Sequence, residues 1–397
     1  MNTFDFDKPL NRRDTNSYKW DSSSDPDMLP MWVADMDFET APAVLKAIQH
    51  RALHGAFGYA RVPDVYYEAV TGWFKRRHRF VFPREHLIYT TGVVPALSAI
   101  IQALCEPGEG VIVQTPAYNC FFSSIRNSQC RQISSPLIYE DGKYLMDFDD
   151  LEEKAADPKN TMMLLCNPHN PVGRAWHADD LERVGHICLK HNVTVLSDEI
   201  HCDLIQPGYQ HIPFAALNSE FMQISVTCSS PSKAFNLAGL QVSNILVADE
   251  EKRKRIDKQI NINEVCDISP FAAEALIAAY SEGDLWLDEL CEYIAGNFAY
   301  LQDFLGEHLP QLKVPQLEAT YLAWIDFSEL AIPASEVTEI LKRDYSLWLN
   351  EGTMYGDETD TFIRMNLATN RERVKEGLNR LKRAFDDNAF DLRLLSD

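Results

Sequence analysis

A lysine that follows an apolar stretch is the first residue of the chain that could do covalent chemistry. Lys233 ends the segment SPSK (230–233), directly after the strand-like run ISVTCS (224–229). Burial of an amine at such a position lowers its pKa and makes it nucleophilic, as the formation of a Schiff base requires. The hydroxyl groups of Ser230 and Ser232 could bind a phosphate group. A surface lysine in a serine-rich turn is the simpler alternative, because lysine side chains are mostly exposed.

A carboxylate and an imidazole follow the apolar run VTVL (193–196), in the segment SDEIH (197–201). Asp198 could keep the nitrogen of a heterocyclic ring protonated, and the ring could then accept electrons. His201 could reach a hydroxyl group of the same ring. The alternatives are a turn or helix N-cap for Asp198 and a structural role for His201.

Two further segments place possible ligand-binding groups after strand-like runs. The loop NPHNPVG (167–173) follows TMMLLC, and its two prolines could hold the amide of Asn170 in a fixed direction. The segment TGVV (91–94) follows HLIYT, where a turn at Gly92 and the free helix amides of Val93 and Val94 could hold a phosphate. Taken alone, each is also typical of an ordinary loop or strand–helix junction.

One aromatic ring and one guanidinium complete the candidate set. Tyr118, in QTPAYNCFF (114–122), could stack on a planar ring, although a core aromatic would fit the same pattern. Arg364, in FIRMNLATN (362–370), could bind a carboxylate through two parallel hydrogen bonds. In isolation, a surface arginine on a strand is the simpler interpretation.

The elements that must position these residues are short strands alternating with helices. From about residue 86, apolar runs such as GVIVQ (110–114) and TMMLLC (161–166) alternate with helical patterns that begin at Gly92 and span about 117–128 and 177–191. Continuous apolar runs indicate strands covered on both faces, as in a parallel or mixed sheet between helices. Open α/β sheets bind ligands at the carboxyl ends of their strands, which is where the candidate residues lie.

The C-terminal third has a different pattern. One helix carries a single apolar stripe, made by Leu287, Leu290, Ile294, Phe298, Leu301 and Leu305. From about residue 310, strand-like runs (ATYLAWIDF, TFIRMNL) are mixed with helices. We therefore predict a large α/β domain over residues 46–286 and a smaller α+β domain formed by residues 1–45 and 287–397.

Composition excludes several classes of function. The 397 residues carry 37 basic and 59 acidic side chains, a net charge of −22 that disfavours binding to nucleic acid. The nine cysteines form no C-x-x-C pair, so we expect neither a disulfide framework nor a metal site, and a reducing compartment fits best. Neither a signal peptide nor a membrane-spanning run is visible. These features predict a soluble, cytoplasmic protein.

In their order along the chain, the motifs resemble those of the fold-type I pyridoxal 5′-phosphate (PLP) enzymes, the class I/II aminotransferase superfamily. The resemblance covers almost the whole chain and rests on T-G-V-V, P-x-Y, N-P-x-N-P-x-G, S-D-E-I-H, S-x-S-K and a late R-x-N. Four segments narrow it to the MalY/PatB group of PLP-dependent carbon–sulfur β-lyases, often described as cystathionine β-lyases. These segments are LPMWVADMDF (29–38), TTGVVPALS (90–98), SDEIHCDL (197–204) and SKAFNLAGLQ (232–241).

The resemblance implies a large domain built on a mostly parallel seven-stranded sheet, and a role for each candidate residue. Lys233 would bind PLP covalently, Asp198 would pair with the pyridine nitrogen, and His201 would lie beside the ring. The substrate, with its α-carboxylate on Arg364, would also contact Ala34, Asn170 and Tyr118. Asn170 would also donate to the 3′ oxygen of the ring, on which Tyr118 would stack. The phosphate would lie among Gly92, Val93, Val94, Ser230, Ser232 and, in a homodimer, Tyr59 of the partner subunit.

Two positions depart from the aminotransferase pattern and favour lyase chemistry. Aminotransferases usually carry a tyrosine where this chain has His201, and a phosphate-binding arginine where it has Gln241. Both departures are features of the β-lyase group. The expected reaction releases a thiol, pyruvate and ammonia from L-cystathionine or another cysteine S-conjugate. The alternatives are an aminotransferase and, less favoured, a PLP-binding regulatory protein that acts through a partner.

Overall fold

A seven-stranded sheet forms the centre of the computed structural model, which describes residues 3–262, 267–330 and 332–390. Only Ser243–Leu246 runs antiparallel to its two neighbours, and the others share one direction. The strands are, in spatial order, Leu87–Thr90, Ser243–Leu246, Ser225–Ser229, Thr194–Asp198, Asn160–Cys166, Gly110–Thr115 and Arg131–Pro136. The predicted α/β class, with a mostly parallel seven-stranded sheet, is confirmed.

The inner strands are apolar on both faces because helices cover both sides of the sheet. Every residue of Gly110–Thr115 and of Ser225–Ser229 is buried. Such strands read as continuous apolar runs rather than alternating ones. One face packs on Val93–Leu104 and Asn119–Asn127, and the other on Ala178–Lys190. The limits of these three helices that the sequence predicted agree with the structure to within about two residues, which is the usual uncertainty of helix ends.

Twelve α-helices occur within the described residues. They are Pro42–His54, Asp64–His78, Val93–Leu104, Asn119–Asn127, Phe148–Ala155, Ala178–Lys190, Ser219–Ile224, Glu250–Asn261, Pro270–Glu282, Asp284–His308, Ala334–Tyr345 and Arg371–Asp386. No helix of the described part of the chain is both long and apolar enough to cross a membrane. The eight cysteines among the described residues are free thiols, and Cys266 lies outside them.

A second, smaller sheet lies in the C-terminal region. Its central strand Phe362–Asn366 pairs antiparallel with Leu322–Asp326 on one side and Asn350–Glu351 on the other. Helices Ala334–Tyr345 and Arg371–Asp386 contribute their apolar faces to the same hydrophobic cluster. Two small pairings complete the strands: Leu29–Pro30 with Leu347–Trp348, and Ile138–Glu140 with Lys143–Leu145.

One long helix, Asp284–His308, joins the two regions, and its predicted apolar stripe is buried throughout. Its first half packs with the helices beside the large sheet, and its second half packs against the small sheet. The N-terminal segment also contacts both regions, because Phe6 packs in the hydrophobic cluster beside the large sheet and Trp20 packs in the cluster under the small sheet. The predicted boundary between the large domain (46–286) and the small domain (1–45 and 287–397) falls inside this helix, so the two-domain division remains a proposal. The last part of the predicted small domain, residues 391–397, lies outside the described residues.

Candidate active site

A cavity of about 260 Å³ lies at the carboxyl ends of the parallel strands. Three neighbouring strands, Asn160–Cys166, Thr194–Asp198 and Ser225–Ser229, end side by side, with Asp198 paired to Cys166 and Cys228. The motifs that follow these strands therefore meet. The predicted site residues that line the cavity are Ala34, Gly92, Val93, Val94, Tyr118, Asn170, Asp198, His201, Ser232 and Lys233.

The amine of Lys233 is held inside this cavity rather than on a surface turn. Its Nζ donates a hydrogen bond to the carbonyl oxygen of Ala34 at 2.6 Å. Burial, assisted by the positive charge of Arg364, lowers the pKa of the amine to about 8. The charges of Asp35 and Asp198 act in the opposite direction. A lysine with this pKa exposes a useful fraction of neutral, nucleophilic amine near neutral pH.

Asp198 is a buried carboxyl group, and within the part of the chain that the structure describes no lysine, arginine or histidine forms an ion pair with it. Its side chain is only 4% exposed, and burial raises its pKa to about 7, although the charge of Lys233 opposes the shift. The backbone N–H of Ile200 donates to Oδ1 at 3.1 Å, so the turn role considered from the sequence is present. That contact occupies one oxygen and leaves Oδ2 available to a ligand. A cation placed beside it would lower the pKa again.

His201 and Tyr118 are the two rings of the site. Burial lowers the pKa of the His201 imidazole to about 3, so it is neutral near pH 7. Its Nδ1 is buried and has no hydrogen-bond partner within the described residues. Tyr118 immediately precedes the helix Asn119–Asn127 and is only partly buried, so it is not a core aromatic. Burial of its hydroxyl nevertheless raises the pKa of Tyr118.

Arg364 is a buried arginine, not a surface one, with 3% exposure. Its Nη1 donates to Asn170 Oδ1 at 3.2 Å, and its Nη2 donates to the carbonyl oxygen of Trp32 at 2.9 Å. The guanidinium also lies 4.9 Å from the ring centre of Tyr355. Among the described residues, no carboxylate lies within ion-pair distance of Arg364. Because an unpaired buried cation is costly, this arrangement is suited to a ligand carboxylate.

The other end of the cavity is built from backbone amides. Gly92 caps the helix Val93–Leu104, whose first N–H groups have no partner within the helix. Ser232 lines the cavity beside them, as predicted. Ser230 differs, because its Oγ donates to the carbonyl oxygen of Val242 at 2.6 Å and accepts from the Ser232 N–H at 3.0 Å. Its hydroxyl group is thus engaged in the turn and does not line the cavity.

Some lining residues were not predicted as site residues. Thr91, Pro95, Ile200 and Ala238 lie inside the sequence motifs, and Cys166 and Val242 directly adjoin them, so extending each motif could have found them. Gln241, noted for its departure from the aminotransferase pattern, also lines the cavity. Tyr321 was missed as well: its hydroxyl group donates to the carbonyl oxygen of Ala34 at 2.9 Å, the same atom that accepts from Lys233.

Comparison with known proteins identifies the class. Residues 26–381 match the family model of the class I and II aminotransferases, and the chain belongs to this family. It is 42% identical to cystathionine beta-lyase PatB of Bacillus subtilis, over 96% of this chain and 99% of that protein. It is 32% identical to protein MalY of Escherichia coli, over 94% and 97% of the two chains.

Two solved structures show the same fold. Cystalysin from Treponema denticola, which contains a PLP cofactor, superimposes with a TM-score of 0.94 at 34% identity, over 97% of this chain and 99% of that one. A PLP-bound C–S lyase from Staphylococcus hominis gives a TM-score of 0.90 at 34% identity, over 96% and 98%. The fold and the family resemblance predicted from the motifs are both confirmed.

Proposed function

We propose that this protein is a PLP-dependent carbon–sulfur β-lyase that releases a thiol, pyruvate and ammonia from L-cystathionine and related cysteine S-conjugates. The observation that carries the proposal is the pairing, in one cavity, of an amine and a carboxyl group with opposite pKa shifts, Lys233 and Asp198. The relatives named cystathionine beta-lyase and C–S lyase support the choice of reaction.

The residues of the cavity fit PLP. Lys233 provides a point of covalent attachment. Asp198 provides a buried acceptor for a protonated ring nitrogen. Free helix amides after Gly92 and the hydroxyl group of Ser232 suit a phosphate. Neutral His201 has an orphaned ring nitrogen for a hydrogen bond with the cofactor. When bound, PLP supplies an electron-withdrawing ring that stabilises negative charge on the substrate Cα.

The side chains of this chain then have separate tasks. Arg364 binds the α-carboxylate, and Asn170, which already accepts from Arg364, keeps the guanidinium in place. Lys233 Nζ, with its lowered pKa, accepts the Cα proton. Asp198 keeps the ring nitrogen protonated. Tyr118 covers the site on one side and helps to exclude water, which strengthens the electrostatic contacts inside.

Aminotransferase chemistry is the alternative that the family allows. Aspartate aminotransferase of Pyrococcus horikoshii is only 23% identical to this chain. The two departures expected from the sequence both lie at the site, since His201 and Gln241 line the cavity. A neutral imidazole at one and an uncharged amide at the other support the lyase.

The deciding experiment uses the purified holoenzyme and a panel of cystathionine, cystine and S-alkyl cysteines. When no 2-oxo acid is added, pyruvate should appear in equal amount to the released sulfur compound, which is a free thiol from cystathionine and the S-alkyl cysteines and a persulfide from cystine. If the substrate is consumed only when a 2-oxo acid is supplied, and a new amino acid forms in step with it, the protein is an aminotransferase and the proposal fails.

We also propose a homodimer in which Tyr59 of the partner subunit reaches the phosphate end of the site. Ala238 and Gln241 line that end of the cavity yet remain exposed, so another surface could cover them. Residues 55–63 lack regular structure and carry Tyr59 at 99% exposure. Leu53 and Phe57 beside it are exposed as well, which is typical of an interaction surface.

Complementation tests this arrangement. Homodimers of Tyr59→Ala and of Lys233→Ala should each have little activity. Mixed dimers of the two variants should regain activity, because one of their two sites would combine an intact Lys233 with an intact Tyr59 from the other subunit. If the mixture stays inactive although mixed dimers are recovered through a different affinity tag on each variant, Tyr59 does not serve the neighbouring site.

A cytoplasmic location is the last part of the proposal. The eight free thiols of the described residues, five of them buried, suit a reducing compartment. The acidic charge of −22 agrees with the expectation that the partners are small molecules rather than nucleic acid.

A further inference from the structure

A second cavity, of about 520 Å³, is lined by residues that directly follow the active-site segment. His201 faces the first cavity, whereas the next two residues, Cys202 and Asp203, line the second together with His78 and His211. Nothing in the proposed lyase reaction uses these four side chains. All four are nevertheless buried and able to bind metal ions.

Three of these side chains are close enough to share one ion. The ligand atoms of His78, Cys202 and Asp203 all lie within 4.8 Å of one another. Among the described residues, they form the one group of three or more His, Cys, Asp or Glu side chains found at such spacing. Ligands of a tetrahedral zinc ion are separated by roughly 3.4 Å, as follows from metal–ligand distances of about 2.0–2.3 Å. Small side-chain rotations would therefore complete the site.

Two orphaned polar atoms provide an independent indication of a ligand. Asp203 Oδ2 is buried and has no hydrogen-bond partner within the described part of the chain. The same is true of His211 Nδ1. His211 Nε2 bonds to Glu199 Oε2 at 3.1 Å, and because a carboxylate accepts from a ring N–H, the neutral imidazole carries its lone pair on Nδ1. The ring of His211 lies 5.3 Å from that of His78.

The surroundings resemble those that orient metal ligands. Trp73 Nε1 donates to Asp203 Oδ1 at 2.9 Å, which fixes the carboxylate. The Glu199 carboxylate in turn orients His211 and is itself held by the Phe214 N–H at 3.0 Å. Outer contacts of this type set the tautomer and direction of ligating side chains.

Charge and access also suit a divalent cation. A Cys202 thiolate and an Asp203 carboxylate would together balance two positive charges, which makes burial of the ion acceptable. Arg76 and Arg77 line the same cavity, but they are paired with Asp284 and Asp288, which reduces their repulsion of a cation. The cavity itself provides an entry path.

We propose that His78, Cys202 and Asp203 bind one Zn²⁺ ion, with the fourth position directed toward His211. Nitrogen, sulfur and oxygen ligands in a small tetrahedral group favour zinc over magnesium or calcium. On binding, the Cys202 Sγ–H proton is released to solvent and a Zn–S bond forms. His78 Nε2, now 2.7 Å from Asp203 Oδ1, also gives up the proton of this hydrogen bond, so that the neutral ring carries its proton on Nδ1 and both atoms bind the ion instead of each other. The sequence predicted no metal site, because these ligands are brought together from positions 125 residues apart.

The test measures zinc on the holoenzyme after equilibrium dialysis against buffered Zn²⁺. Wild type should retain one ion per chain, and Cys202→Ser should bind it at least about tenfold more weakly. Cys291→Ser is the matched control, because its thiol lines the same cavity and contacts the Asp203 carbonyl oxygen at 3.7 Å but lies outside the three ligands. It should bind zinc like the wild type.

A second readout identifies the ligands. Co²⁺ in place of Zn²⁺ should give a thiolate-to-metal absorption band in the difference spectrum of wild type and Cys291→Ser, and none in Cys202→Ser. Zn²⁺ should also raise the Tm of wild type and of Cys291→Ser, and raise that of Cys202→Ser less at the same Zn²⁺ concentration, since a ligand stabilises the folded state in proportion to how tightly it binds. If Cys202→Ser fails to fold, His78→Gln replaces it as the variant that lacks one zinc ligand. Equal zinc content and equal Tm shifts in all variants would overturn the proposal and leave a purely structural His78–Asp203 pair.

Discussion

Two buried aspartates, five positions apart, show how differently the two cavities use the same residue type. Asp198 is 4% exposed and Asp203 is 5% exposed. Burial raises the pKa of Asp198 to about 7, whereas hydrogen bonds from His78 and Trp73 outweigh burial and hold the pKa of Asp203 below its usual value. Burial alone therefore does not decide the charge. Asp198 receives only the backbone N–H of Ile200, so its pKa stays raised, and a buried carboxyl group in that state is a candidate ligand site.

Substitution of the active-site lysine should have the largest effect. Lys233→Ala is expected to abolish lyase turnover, because no other amine among the described residues lines the cavity. Borohydride treatment followed by mass spectrometry should fix PLP to the wild-type chain and not to the variant. Covalent cofactor retained in Lys233→Ala would show that the attachment point is elsewhere.

Asp203→Asn should lower the free energy of unfolding and leave the rate of the lyase reaction nearly unchanged. Loss of the carboxylate weakens the hydrogen bonds that buried Asp203 makes with His78 and Trp73, and hydrogen bonds to a charged group typically contribute about 1.5–3 kcal/mol. Urea unfolding should show the loss, while kcat per bound PLP should change little. A fall in kcat without a change in stability would mean that Asp203 acts in the reaction, and the contrast with Asp198 would be lost.

Asp198→Asn should show the reverse pattern. An amide cannot keep the pyridine nitrogen protonated, so Cα deprotonation should slow by roughly 10²–10³-fold, which is about 3–4 kcal/mol. The primary isotope effect of Cα-deuterated substrate should increase as this step becomes limiting. Near-normal turnover would show that Asp198 has only a structural role, as the acceptor of the Ile200 N–H in a turn.

Arg364→Lys should have a smaller effect. A guanidinium can form two parallel hydrogen bonds with a carboxylate and an ammonium cannot, so kcat/KM should fall by about 1.5–3 kcal/mol with PLP content unchanged. A substrate in which the carboxylate is an amide provides the control. Wild type should discriminate strongly against it and Arg364→Lys much less; equal discrimination would assign the carboxylate to another group.

The dependence of stability on pH should have opposite signs at the two aspartates. In protein freed of cofactor, the raised pKa of Asp198 means that the folded state binds a proton more tightly than the unfolded state does. Its stabilisation is present below about pH 4 and is lost as pH rises toward 7, by at most about 1.4 kcal/mol per unit. Between pH 5 and 8, the free energy of unfolding of Asp198→Asn, measured with urea, should therefore increase relative to that of wild type. Asp203 should instead lose its stabilisation as pH falls below about 4.

Much of the fold and most of the site could be predicted because local signals agreed. Strands buried on both faces appear as continuous apolar runs, and the motif after each one contributes a residue to the cavity. The predictions were weaker where tertiary contacts decide. The engagement of Ser230 depends on the Val242 carbonyl oxygen, 12 positions away, and backbone acceptors such as Ala34 O leave no trace in residue type. The grouping of His78 with Cys202 and Asp203 depends on the packing of a distant helix, which no spacing rule could reveal.

The long helix Asp284–His308 has a consequence for local stability. It supplies Leu290 and Ile294 to the cluster beside the large sheet, and Phe298 and Leu301 to the cluster under the small sheet. The change from one cluster to the other occurs around Gly296, where an added Cβ would come within 3.0 Å of Arg371 Nη2. Glycine makes a helix interior less stable by about 1 kcal/mol than alanine does. Gly296 therefore makes the helix intrinsically least stable at the point where it passes from one hydrophobic cluster to the other.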